Sequence, residues 1–204
     1  MIIVVIVIVA IVAVLVLMLL AIYNGLIRSR MRTREAWSGI DVQLKRRADL
    51  VPNLVETVRG YAAHERGTFE AVTNARSMLQ NAQGPADAAA ANNQLTQALR
   101  SLFAVAENYP QLKASENFLA LQTELTDIEE KIAYARQFYN RNASEFNARI
   151  QVVPNVFIAN MFGFQPFEFF EAEEEAREVP HVSFEAPQPP EPPQPPQAPQ
   201  APQQ

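Results

Sequence analysis

The chain is 204 residues long, contains no cysteine and carries a formal net charge of -5 at pH 7. The missing cysteine excludes disulfides, thiolate metal sites and cysteine nucleophiles, and about a quarter of the chain is unsuited to a water-soluble core, which leaves one folded domain. Charge is segregated: between Arg28 and Arg47 seven Arg and Lys stand against only Glu35 and Asp41, so everything outside that stretch is strongly acidic.

Met1 to Ile27 holds no ionisable side chain, and Ile2 to Ile22 is almost wholly Val, Ile, Leu, Ala and Met. About 21 such residues at ~1.5 Å each reach roughly 30 Å, the thickness of a bilayer's hydrocarbon core. Residues 1–27 are therefore read as a transmembrane helix with the lipid bilayer as its partner. A cleaved secretory signal would need a basic region before the apolar run and a small-residue cleavage site after it, and the sequence offers neither. Tyr23 and Asn24 close the run as interfacial residues do, and Arg28, Arg30, Arg32 and Arg34 follow on that side alone. Flanking cations stay in the cytoplasm of a bacterial cell. The expectation is a single-pass protein of the inner or plasma membrane, with the bulk of the chain cytoplasmic and no ligand-binding part on the far side.

From Trp37 to Glu65, Trp37, Ile40, Leu44, Ala48, Val51, Leu54, Val58, Tyr61 or Ala62, and Glu65 recur every three or four residues and share one helix face. Asp41, Gln43, Lys45, Arg46, Arg47, Asp49, Asn53, Glu56 and Arg59 fall between them, on a face that water can solvate. Pro52 either kinks this helix or sits in the first turn of a new one capped by Asp49. Beyond it, Leu54, Val58, Tyr61, Glu65, Phe69, Val72, Arg76 and Leu79 keep the spacing up to Gly84-Pro85, which predicts one helix of about 30 residues. A third helix follows from Ala86, with Leu95, Ala98, Leu99, Leu102, Val105 and Ala106 on one face, and ends near Asn108. Tyr109 to Lys113 is too short for anything but a tight connection, so its neighbours are antiparallel. Phe118, Leu121, Leu125, Ile128, Ile132, Ala135, Tyr139, Asn142 and Phe146 then alternate three and four over four heptads. Pro154 is expected to end that helix.

Val156, Phe157, Ile158, Met161 and Phe162 fit a short apolar helix stopped by Gly163, with Phe164, Phe167, Phe169 and Phe170 behind it. So dense an aromatic stretch needs a cover, and it is expected to fold back on the bundle. Glu171, Glu173, Glu174, Glu175 and Glu178 make an acidic run, and residues 187–204 hold nine prolines among Gln and Ala, a composition that predicts disorder with polyproline II bias.

Residue patterns for chemistry are sparse. His64-Glu65 begins like a zinc-protease helix, but Thr68 stands where the second ligand should be. Glu-x-x-His pairs of a dimetal bundle, a Gly-rich phosphate loop, G-x-S-x-G and the interleaved basic and aromatic residues of a nucleic-acid binder are all absent from the sequence. Glu65 on the inner stripe is expected to pair with a buried Arg or Asn, and Asn140, Asn142 and Asn147 to fix helix register at the seam. No catalytic, cofactor-binding or metal-binding residues are assigned.

The residues resemble the LemA family of bacterial membrane-anchored proteins from Asn24 to about Phe184. The matching blocks are Ala36-Trp37-Ser38 with Ile40 to Leu44, Arg47 through Leu54, Tyr61 with His64-Glu65, and Ala75-Arg76. They continue in Tyr109-Pro110 with Leu112-Lys113-Ala114, Phe118 with Leu121, Glu124-Leu125, Ile132-Ala133 with Ala135-Arg136, and Tyr139-Asn140. Val153 departs from the pattern, standing where an aromatic is expected before Pro154. The resemblance implies a single-pass anchor, a cytoplasmic bundle of long helices and no established enzymatic activity; it supplies no catalytic residues.

Together these readings predict an all-α protein: an elongated antiparallel helical bundle of three to four long helices preceded by one transmembrane helix, with a disordered Pro/Gln-rich tail. Its parts are a transmembrane helix over 1–27, the bundle over 28–153, a short Phe-rich helix and acidic strap over 154–186, and the tail over 187–204. The expected function is that of a non-enzymatic membrane-anchored scaffold with protein partners still to be identified, a homo-oligomer among them, and without nucleic acid. The alternative is a signalling or envelope-stress component that transmits a signal through helix movement.

Overall fold

The structure, a computed structural model, describes residues 1–171. The acidic run from Glu173 onward, His181 and the Pro/Gln-rich segment lie outside the described residues. Within them the fold is all-α: α1 (Ile2–Arg59), α2 (Arg66–Asn81), α3 (Pro85–Glu107), the single turn α4 (Pro110–Lys113), α5 (Glu116–Arg149) and α6 (Asn155–Met161).

The first helix is one unbroken element of 58 residues. Residues 2 to 21 are exposed all round, and from Leu26 a stripe of Leu26, Ser29, Thr33, Ala36, Ile40, Leu44, Ala48, Val51, Leu54 and Val58 is buried. Helix α5 packs along this stripe and runs antiparallel to it. Thr33 meets Asn142 and Arg47 meets Glu129, so moving up one helix means moving down the other. The α5 seam buries Phe118, Leu125, Ile128, Ile132, Tyr139, Ala143 and Phe146. Ala143 holds the inward position that the spacing gives to Asn142. Helices α2 and α3 close the other side of the core with Phe69, Val72, Leu79, Leu95, Leu99 and Leu102, and each such side chain taken out of water contributes about 1.5–3 kcal/mol.

Pro52 falls inside α1, not at the start of a new helix. The break comes later, at Gly60, and the expected 30-residue helix from Pro52 to Gly84 is two elements. Bonds from Tyr61 N to Val58 O and from Ala62 N to Val58 O tighten the last turn, and Ala62, not Tyr61, is buried. The chain then reverses into α2, because a stripe continued straight on would have no helix to pack against. Glu65 is consequently half-exposed at the N-cap of α2 and makes no capping bond with its side chain, so its expected buried pairing does not hold. Two turns need glycine: Gly84 has φ +87°, just before Pro85 opens α3, and Gly163 has φ +67° at the end of α6. Asp87 accepts a bond from the Gln83 backbone N–H at 2.8 Å and fastens the start of α3.

Pro52 has no N–H to give the carbonyl of Ala48, four residues back. Arg76 of α2 supplies the missing donor: its Nε bonds Ala48 O at 2.7 Å. Arg76 thus does more than occupy a stripe position. It repairs the backbone defect that lets α1 run through a proline, in a place where Ala48 is 2% exposed. Leaving a buried acceptor without a partner costs about 1–3 kcal/mol. Arg76→Met is therefore expected to lower the Tm of the detergent-solubilised full-length chain, by about 2–4 °C for each kcal/mol lost. In a Pro52→Ala background, where residue 52 regains its N–H, the same substitution is expected to cost much less. Equal losses in the two backgrounds, read by thermal unfolding, would refute the pairing.

Candidate functional site

Two polar assemblies organise the bundle. The first centres on Arg47, which is 1% exposed although its sequence position assigns it to the solvated face. One turn carries both Arg47 and Ala48 inward, since an α1 ringed by α2, α3 and α5 buries more than a single stripe. The guanidinium ion-pairs with Glu129 of α5, donates to Asn92 Oδ1 of α3, and donates to Thr96 Oγ1 at 3.0 Å. Three helices are thereby tied to one cation. A cleft of about 160 Å³ over this cluster is lined by Thr96, Leu99, Phe103, Gln122 and Leu125 among others, so Glu129 keeps one side in water.

The second assembly is the groove between α1 and α5, filled by an extended strap over residues 164–171. Phe164, Phe167 and Phe170 turn inward at every third position, a three-residue repeat like that of polyproline II. Asn147 donates to Phe167 O and accepts from Phe167 N, each at 2.8 Å. Asn140 does the same with Phe170, at 2.9 and 3.0 Å. The fit is geometric: seven helical residues rise about 10.5 Å and three polyproline II residues about 9.3 Å, so two asparagines two turns apart meet two strap residues three apart. Each carboxamide replaces the backbone partners that an extended segment lacks outside a sheet. These asparagines clamp the strap and do not set register at the α1–α5 seam. Asn142 bonds its own helix at Phe138 O.

Aromatic rings line the groove from end to end. Trp37 lies 5.6 Å from Tyr139 and 6.2 Å from Phe170, Phe146 lies 5.1 Å from Phe167, and Tyr23 lies 4.7 Å from Phe162. The Tyr139 hydroxyl donates to Glu168 O at 2.7 Å. Burial, with the Glu168 carboxylate adding to it, pushes that hydroxyl up to about 12. Lower in the groove, Thr33 Oγ1 reaches Ser29 O at 3.1 Å and Asn142 O at 3.2 Å, and the small residues Ser29, Thr33, Ala36 and Ala143 let the two backbones approach. A separate apolar cluster of Leu26, Phe146, Ile150, Ile158, Ala159 and Phe164 joins α6 to this end. His64 is exposed in the turn before α2, and among the described residues no group of three or more His, Asp or Glu is placed to hold a metal ion.

Removing Glu129 leaves the Arg47 charge buried, whereas removing Arg47 leaves a carboxylate that is already 43% exposed. Removing one partner of a buried pair costs about 3–5 kcal/mol when the charge left behind stays dry, and less when it can reach water. Glu129→Ala is therefore expected to destabilise the bundle by roughly 3 kcal/mol and Arg47→Met by clearly less, as read from urea midpoints; the reverse order would contradict this account. Tyr139 predicts a pH dependence. Its folded pKa lies above the ordinary value near 10, so its contribution is complete below pH 10 and is lost as pH rises toward about 12. Alkaline unfolding followed by tyrosinate absorbance is expected to show this step, and Tyr139→Phe to abolish it.

These elements coincide with what comparison with known proteins identifies. A profile of the LemA family matches residues 36–184, which take in α1 from Ala36 onward and run through the strap. Magnetosome protein MamQ 2 of Paramagnetospirillum magneticum is 26% identical over 179 residues, covering 75% of this chain and 66% of its own. Magnetosome protein MamQ of Magnetospirillum gryphiswaldense is 26% identical over 178 residues, covering 74% and 65%. Protein LemA of Metamycoplasma hominis is 30% identical over 131 residues, covering 62% and 58%. The chain thus spans just under two thirds of the length of these magnetosome relatives. With a profile match that takes in the α1 stripe from Ala36 onward, the Arg47 cluster and the clamped strap, the chain belongs to the LemA family.

Proposed function

We propose that the protein is a non-enzymatic, membrane-anchored scaffold of the bacterial inner or plasma membrane, with α1 crossing the bilayer and the bundle on the cytoplasmic side. The observation that carries this reading is the change along a single helix. Its first twenty-odd residues are apolar and uncovered, at 45% exposure or more for every large side chain from Ile2 to Leu20, and a few residues later Leu26 is 1% exposed. An apolar helical surface about 30 Å long needs hydrocarbon around it, and the arginines that follow favour the cytoplasmic side.

The non-enzymatic part of the reading is supported by how the buried polar groups are spent. Arg47, Arg76, Asn140, Asn147 and Tyr139 each hold one element of the fold to another. Confined to a thin layer by its anchor, such a bundle raises the local concentration of whatever it contacts without any bond chemistry. The likeness to LemA and to proteins named for the magnetosome supports the membrane association, and copies of the chain are themselves partners in this reading.

Because the sequence has no cysteine, one introduced thiol reports alone. Asn53→Cys is expected to react with a membrane-permeant maleimide in intact cells and not with an impermeant one, and the full-length chain to stay in the membrane pellet after an alkaline wash. Light scattering of the detergent-purified chain is expected to show more than one copy per particle. Intact protein in the supernatant would refute the anchor, the opposite labelling pattern the topology, and a strict monomer the self-association.

A further inference from the structure

We infer that α6 and the turn before it form a second membrane contact, in which Val152, Val153, Phe157, Met161 and Phe162 rest at the boundary between acyl chains and headgroups of the leaflet that α1 enters. The inference rests on the proposed anchoring of α1 and adds a surface that the anchor does not require.

Helix α6 is held to the bundle by one face. Ile158 and Ala159 are 3% and 2% exposed against Leu26, Phe146 and Ile150. The opposite face points away: Phe157 is 70% exposed and Met161 66%, with Phe162 just past the helix 55% and Val153 in the preceding turn 74% exposed. From Ile150 to Phe167 no residue is ionisable. So large an apolar patch without charge is foreign to a surface facing water.

Its position in the fold says what covers it. Helix α5 descends antiparallel to α1, so its end at Ile150 reaches the level of Leu26, one turn above the uncovered surface of α1. Tyr23, at the end of the apolar run, touches Phe162. The exposed face of α6 therefore adjoins the surface that needs hydrocarbon. Gln151 and Asn160, both exposed, keep the segment at the boundary, because their amides still need water or headgroups. Arg28, Arg30, Arg32 and Arg34 rise from the same level on α1, with Arg149 in the last turn of α5, and Arg30 lies over the Phe164 ring at 5.8 Å. An apolar element in the boundary with cations just above it matches the layering of a bilayer rich in anionic lipid.

The test labels the full-length chain, reconstituted into vesicles of zwitterionic and anionic phospholipid, with an environment-sensitive fluorophore at one of three introduced cysteines: Val9→Cys in the apolar run, Phe157→Cys on α6, and Asn53→Cys far along α1. Nitroxide lipids quench either deep in the acyl chains or near the headgroups. Phe157→Cys is expected to give blue-shifted emission and a several-fold greater loss to the shallow quencher than Asn53→Cys, with Val9→Cys quenched by the deep one. Met161→Cys repeats the reading at a second exposed site. A water-exposed label at 157 beside a lipid-quenched label at 9 would overturn this inference and leave the anchor standing. Labels in water at both positions would overturn both. A shielded label at 157 that no lipid quenches would mean that a second copy covers the face, and would overturn the lipid assignment.

Discussion

Every backbone carbonyl and amide taken away from water has to find a partner, and in α1 that constraint is met over 58 residues without a break. The helix begins as an uncovered apolar run and continues into a bundle where side chains of other elements complete the set. Pro52 is the place where the requirement nearly fails. The helix passes through it because Arg76, on a different helix, bonds the carbonyl that the proline leaves open. The bundled part of α1 and its apolar run are thereby one continuous helix, and whatever holds the bundle closed also fixes the line along which α1 leaves it.

The same device recurs down the molecule. Thr33 of α1 bonds a carbonyl of α5, Tyr139 of α5 bonds a carbonyl of the strap, and Asn140 and Asn147 pair with both backbone groups of Phe170 and Phe167. Apolar burial supplies most of the favourable free energy, but it is non-directional. Side chain to backbone bonds fix which residue of one element stands against which residue of another. In the strap they do so with the spacing of two helical turns against three extended residues, so a shift by a single residue along the strap would lose both clamps together.

Arg47 completes this arrangement differently, as a cation held at the meeting of α1, α3 and α5. A buried ion pair is weak evidence for stability, because desolvation offsets much of the attraction. What it fixes here is relative position: three helices cannot satisfy one guanidinium in more than one alignment. With Glu129 left partly in water, the pair avoids the full cost of burying both charges.

The apolar run of residues 2–22, the heptads of α5, the helix-start proline at Pro85 and the short connection after Asn108 are all legible in the sequence, because each is fixed by local periodicity or by a backbone that one residue type alone permits. An all-α fold follows from those signals. Pro52 inside α1, the break at Gly60, the burial of Arg47, the half-exposure of Glu65 and the grip of Asn140 and Asn147 on the strap were decided by tertiary structure. The seven-residue spacing of the two asparagines and the three-residue spacing of Phe164, Phe167 and Phe170 are both present in the sequence, but neither names the other as its partner. A sequence repeat says which residues share a face; only the approach of a second element, with its own unmet hydrogen bonds, says which of them turn inward and what they hold.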